Sequence, residues 1–174
     1  ETIGRLLEHY YEINEGIGVH KPPQLYGAFP TDAYSHTPAN KGAQQPGMTG
    51  QVKEDILSRF GELGVFVKAG QLQFHPVLLK REEFISEPTI FNYIDIHNEP
   101  QQTQAVENSL CFTYCQVPII YTISDDDNLI IKYKDETAEI QESLNLDANI
   151  SQQIFKRTGE ITQIKVSIRE SELR

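Results

Sequence analysis

The hydrophobic positions of this chain change period once, at Gly64: before it they recur at helical spacing, and after it they alternate as in half-buried strands. Within residues 2 to 14, Ile3, Leu6, Leu7, Tyr10, Tyr11 and Ile13 fall close to i, i+3, i+4, i+7, with Arg5, Glu8 and Glu12 between them. This predicts an amphipathic helix that stops near Asn14-Glu15-Gly16, where Asn and Gly offer C-cap chemistry. A second helix is expected from Thr49, its N-cap, with Val52, Ile56, Leu57, Phe60 and Leu63 on one face and Gly64 as its stop. Glu54 and Asp55 lie near the positive end of its dipole.

Beyond Gly64, Val65-Phe66-Val67 and Leu72-Gln73-Phe74 flank Lys68-Ala69-Gly70 and read as a tight hairpin ending at Pro76. Further strands are expected at Ile90 to Ile96, Leu110 to Cys115, Pro118 to Ile123, Leu129 to Tyr133 and Ile161 to Ile168, with Pro118 at a strand start or edge. Turn signals stand at Asn98-Glu99-Pro100, Ser124 to Asn128, and Thr158-Gly159. Short strands at regular spacing predict an antiparallel β-sandwich. The fold class expected is therefore α+β, divided into residues 1–64, helical with a long loop, and residues 65–174, a sandwich.

Between the two helices lies a stretch of about thirty residues without periodicity, long enough to imply a task of its own. Pro22-Pro23, Phe29-Pro30, Thr37-Pro38 and Gln45-Pro46 bias the preceding residues away from helix, which stiffens the backbone without making it regular. Asp32, Tyr34, His36, Gln44 and Gln45 give this loop hydrogen-bonding groups interleaved with aromatic rings, a mixture suited to sugars and also common inside ordinary loops. At its end, the Thr49 hydroxyl and Gly50 meet a helix start whose first backbone N–H groups lack partners, the outline of an anion site. On spacing alone, a plain helix cap explains Thr49-Gly50 better.

Composition narrows the classes. Fifteen basic against twenty-five acidic residues leave a formal charge of −10, which repels phosphate backbones and anionic lipid, so neither nucleic acid nor a membrane surface is expected as a partner. No apolar run approaches the roughly 18 residues of a bilayer span, and no signal-peptide pattern opens the chain. A cytoplasmic location is the accompanying expectation. Because Glu1 falls inside an amphipathic segment, the natural N-terminus is expected upstream. Cys111 and Cys115, the two cysteines, would lie roughly 13 Å apart on one face of an extended strand, beyond disulfide reach, and are expected as buried thiols. Ser124-Asp125-Asp126-Asp127-Asn128 lacks the alternate ligands, Gly and distal Glu of an EF-hand and reads as a solvated hairpin turn; no metal site is expected. Gln152 to Arg157 reads as a strand edge or core anchor.

Residues 47 to 79, GMTGQVKEDILSRFGELGVFVKAGQLQFHPVLL, resemble the end of the catalytic barrel in the cellobiose-phosphorylase-like glycoside hydrolase family. The resemblance rests on Met48-Thr49-Gly50-Gln51 opening a helix, on Gly61-Glu62-Leu63-Gly64-Val65 closing it, and on the hairpin from Val65 to Phe74 followed by His75-Pro76. It covers about a fifth of the chain. Met48 stands where the family has an aromatic residue, and Gln51 where it has a small one. The resemblance implies an N-terminal fragment of an (α/α)6 barrel followed by the C-terminal sandwich. It also implies a phosphate-holding role for Thr49 and Gly50, with His36, Gln44 and Gln45 as further substrate or phosphate contacts, and Asp32 and Tyr34 within reach of sugar hydroxyls. Inorganic phosphate would be a co-substrate, with no other cofactor, and an oligo- or disaccharide the substrate. No residue of this chain is assigned as catalytic, since the general acid of such barrels is expected before Glu1. The rest of the barrel, and a homodimer partner, would complete the assembly.

Phosphorolysis and hydrolysis both remain open under this reading, because related barrels activate water with a second carboxylate instead. Two readings from other classes stand beside it: a self-standing β-sandwich that binds carbohydrate without chemistry, and a structural or oligomerisation domain.

Overall fold

A computed structural model describes residues 2–17 and 51–174. It divides into two compact units, residues 1–60 and 61–174.

In the first unit, helix α1 spans Thr2–Ile17, ending one residue after the expected stop at Asn14-Glu15-Gly16. A glycine inside a helix costs about 1 kcal/mol, too little by itself to end one. Leu6 on α1 is exposed, whereas the Tyr10 and Tyr11 rings meet edge to face at 5.2 Å. Helix α2 spans Gln51–Glu62, and Ile56 and Leu57 on it are exposed. Among the described residues no helix is long and apolar enough to cross a membrane.

The second unit begins where α2 stops. Gly64 is buried at φ +69°, and its carbonyl accepts a 2.7 Å hydrogen bond from the His75 N–H. A Cβ there would sit 2.1 Å from the His75 carbonyl carbon and oxygen, so no residue but glycine fits. Strands β1 (Val65–Lys68) and β2 (Gln71–Phe74) form the expected hairpin. Its two-residue turn, Ala69-Gly70, has φ of 51° and 78°, the left-handed pair that suits the twist of a tight hairpin. A second hairpin follows from β3 (Thr89–Ile94) and β4 (Pro100–Ala105).

The remaining strands, β5 (Ser109–Tyr114), β6 (Val117–Ser124), β7 (Asn128–Tyr133), β8 (Ala138–Gln141) and β9 (Ile161–Arg169), form one sheet in the order β5-β6-β9-β7-β8. The expectation of a purely antiparallel arrangement is corrected here, because β6 and β9 pair in parallel. The acidic stretch Ser124 to Asn128 is likewise not a hairpin turn: β9 enters between β6 and β7 and pairs with both. Asp127 secures this entry. Its carboxylate accepts the Arg169 backbone N–H at 3.0 Å and the Arg169 Nε–H at 2.8 Å, at the end of β9. Pro118 sits one residue before the first β6 residue paired with β9, where its missing N–H interrupts no bond of the parallel ladder.

One face of the sheet is dry. Ile119, Tyr121, Leu129, Ile131, Ile164, Val166 and Ile168 are fully buried on it. Phe74 of β2 meets the Tyr121 ring edge on at 6.0 Å, and Phe112 meets it at 5.2 Å. Helix α3 (Ala148–Phe155) completes the cover, with Ile150 and Ile154 buried and Phe155 against Tyr114. This helix corrects the strand-edge alternative at Gln152 to Arg157, while buried Ile154 makes the stretch a core anchor; at two turns, its only periodic signal is the Ile150–Ile154 pair. The segment before it meets β2 in a single antiparallel bridge between Gln73 and Asn145, with Phe74 N–H to Leu144 O and Leu146 N–H to Leu72 O, both 2.9 Å. The Leu72 N–H donates to the buried Ser151 hydroxyl at 2.9 Å. Tyr121 donates its buried hydroxyl to the Leu63 carbonyl at 2.6 Å, tying β6 to the segment that opens this unit.

The β3–β4 hairpin lies against the other face. Gln163 alternates with Ile164 along β9, so it points to that side, and its Nε2 donates to Thr103 Oγ1 of β4 at 3.1 Å. The two thiols also depart from expectation: Cys111 lies in β5, but Cys115 sits in the β5–β6 turn at φ 50°. Both are free and half-buried, and burial pushes both pKa values up.

Candidate functional site

The residues singled out in the sequence, Asp32, Tyr34, His36, Gln44, Gln45, Thr49 and Gly50, lie outside the described residues. A candidate site among the described residues lies elsewhere, and strand direction creates it. Because β6 and β9 run in parallel, their starts, Pro118 and Ile161, arrive at the same end of the sheet. The exit of β7 at Lys134 and the β5–β6 turn at Gln116 reach the same end. The loop between β3 and β4 borders the space between them, leaving an open cleft of about 340 Å³.

That loop is held by one carboxylate. Asp95 Oδ1 accepts the backbone N–H groups of His97 at 2.8 Å and Glu99 at 3.0 Å, while Oδ2 accepts Gln101 Nε2 at 2.9 Å. The Glu99 N–H foremost, then the Gln101 amide and the His97 N–H, hold the Asp95 carboxyl below the usual range for Asp, against the opposing effect of desolvation. Two contacts then fix the loop to the sheet. Gln116 Nε2 donates to the Asp95 carbonyl at 2.7 Å, and Ile96 packs over Gly159, where a Cβ would lie 2.8 Å from Ile96 Cδ1. Gly159 stands at φ +80°, so glycine serves there both for backbone and for space.

The walls divide by chemistry. Ile96, Pro118 and Ile161 are apolar, and Tyr93, His97, Gln101, Gln116 and Lys134 supply polar groups. Tyr93 stacks on Phe91 with ring centroids 5.8 Å apart and planes 16° apart, which fixes its ring; burial first, then the nearby Asp95 charge, pushes its phenol pKa up. The Tyr93 hydroxyl, the His97 imidazole and the Lys134 ammonium make no hydrogen bond or ion pair with any described residue. The His97 charge also helps to hold the Asp95 carboxyl down, so the Tyr93 hydroxyl and the Lys134 ammonium are the donors with no such role among the described residues.

No sequence motif announces this site. Its residues are scattered from Tyr93 to Thr162, and the signals that touch it are the two turns at Asn98-Glu99-Pro100 and Thr158-Gly159. Another hollow, beside Asp125, Arg169 and Glu170, is bordered by the ion pairs of Arg169 with Asp127 and Glu172 and of Glu170 with Arg81, which account structurally for the charges of Arg169 and Glu170. Compared with known protein families and with curated proteins, the chain matches none.

Proposed function

We propose that the chain supplies the C-terminal portion of a carbohydrate-active enzyme that cleaves glycosidic bonds by phosphorolysis or hydrolysis. In this reading, residues 1–64 are the terminal helices and rim loop of an (α/α)6 barrel, and residues 65–174 are its closing β-sandwich. The loop carrying His36, Gln44, Gln45, Thr49 and Gly50 binds substrate or phosphate, and Asp32 and Tyr34 meet sugar hydroxyls. The general acid comes from another part of the enzyme, which works in the cytoplasm on an oligo- or disaccharide, with a homodimer partner packing on the assembly.

The observation that supports this reading is the order of features from Gln51 to Pro76. A helix ends at Glu62, Gly64 follows at positive φ, the β1–β2 hairpin comes next, and His75-Pro76 folds back onto Gly64 through a backbone hydrogen bond. This is the same order on which the family resemblance rests.

The test is Thr49→Ala in the full-length enzyme. Loss of a charge-assisted hydrogen bond should weaken phosphate dependence by about 1–2 kcal/mol, roughly 5–30-fold in apparent phosphate affinity. Unchanged phosphate kinetics would return Thr49 to a helix cap. Sugar release without phosphate would select hydrolysis, and a start codon immediately before Glu1 would sink the barrel reading.

A further inference from the structure

We propose that the cleft beside Tyr93 is a saccharide subsite that takes a neutral mono- or disaccharide. It is built wholly from residues of the second unit, between Tyr93 and Thr162, and does not depend on the loop reading above.

The chemistry of the walls selects the ligand. A partner here must both donate and accept hydrogen bonds. Tyr93 and Lys134 offer donors, while Gln101 Nε2 donates to Asp95 and Gln116 Nε2 to Asp95 and Asn98, which turns both amide oxygens outward as acceptors. An anionic ligand would bring its charged oxygens against the ionised Asp95 and both amide oxygens, with Lys134 as the one lysine or arginine on the rim to offset them. A sugar hydroxyl satisfies both kinds of group. The apolar walls and the fixed Tyr93 ring then suit the C–H faces of a pyranose. A volume of about 340 Å³ stands at the small end of ligand pockets, which run from roughly 300 to 1,000 Å³, and suits one or two sugar rings.

The site is also organised in advance. The three hydrogen bonds on the Asp95 carboxylate, the Gln116 contact and the Ile96–Gly159 packing hold the rim loop without a ligand, so binding loses little freedom in ordering it.

The experiment is an NMR titration of the full 174-residue chain with methyl β-glucoside, cellobiose, maltose and lactose, and separately with inorganic phosphate and acetate. The expected result is saturable shifts of the His97, Gln116 and Gly159 amides with at least one sugar, and none with either anion. Affinity should fall at least tenfold in Tyr93→Ala and stay unchanged in Asn92→Ala, on the outward side of the same strand. Lys134→Met, on the exposed rim, provides a second variant whose folding is not in question and should weaken binding severalfold. No saturable shift with any of the four sugars overturns the inference, as do shifts confined to other residues, saturation by phosphate or acetate, or binding that neither Tyr93→Ala nor Lys134→Met alters. A negative titration leaves the Thr49 prediction standing, and unchanged phosphate kinetics in Thr49→Ala leave this subsite standing.

Discussion

The five-stranded sheet carries a two-stranded hairpin on each face, and the two covers are made of different material. On the dry side, β2 turns Leu72 and Phe74 inward, both fully buried, and its free edge is closed by Leu144 to Leu146. On the other side, the inward residues of β3 and β4 include Phe91, Tyr93, Gln101 and Thr103, which are half-buried or exposed, and the cover is secured by single polar contacts such as Gln163 to Thr103. Ile90 and Ile94, on the outer side of β3, remain 59% and 49% exposed. Burial of apolar area stabilises by about 25 cal/mol per Å², so the dry cover holds most of the fold. The wetter cover contributes less to stability and retains polar groups that a ligand can use.

Two glycines separate the covers most sharply. Gly64 and Gly159 share a positive φ, but a Cβ on Gly64 meets the His75 backbone, whereas one on Gly159 meets the tip of the Ile96 side chain. Gly64→Ala should therefore cost about 3 kcal/mol or more, enough to threaten folding. Gly159→Ala should cost only about 1–2 kcal/mol, the backbone cost of a left-handed residue, because Ile96 can move. Thermal and urea denaturation of the two variants measure this. Equal losses would erase the distinction.

Tyr121→Phe comes next in size. It leaves the buried Leu63 carbonyl without its 2.6 Å partner and should cost about 1–3 kcal/mol in urea denaturation while the Phe74 and Phe112 ring contacts persist. A loss below that range would mean that the hydroxyl adds little to the dry side.

The smallest effect belongs to the wet side and to acid. Asp95 is depressed in the folded state, chiefly by the Glu99 N–H, so its contribution is complete above the ordinary Asp range and is lost as pH falls through its lowered folded value. The His97 and Glu99 amide resonances should move through that acidic window while those of β2 stay put. Loop resonances that ignore acid would detach Asp95 from the loop's order.

Much of the architecture was readable in advance where side-chain period carried it. The change at Gly64, the first hairpin, and strands β3, β5, β6, β7 and β9 follow from alternation and turn residues. Strand β4, Pro-Gln-Gln-Thr-Gln-Ala, was not, because Ala105 is its one buried residue and amides carry no apolar alternation. Strand β8 is four residues long with no buried member, and α3 is two turns with one Ile pair. The insertion of β9 between β6 and β7 depends on pairing between distant segments and on Asp127 meeting Arg169, which no local window contains. The cleft was hidden for the same reason: its walls come from five separate segments joined by that parallel pairing, by the β7–β9 ladder and by the Gln116 and Ile96 contacts of the rim loop.

Native-state hydrogen exchange on the full chain tests the contrast between the two covers most directly. Amides of Leu72, Phe74 and Leu146 should exchange only through global unfolding, while amides of β3 and β4 should open locally at a clearly lower free energy. Protection of the β3–β4 hairpin at the global value would contradict this account, because the wet cover would then hold the fold as firmly as the dry one.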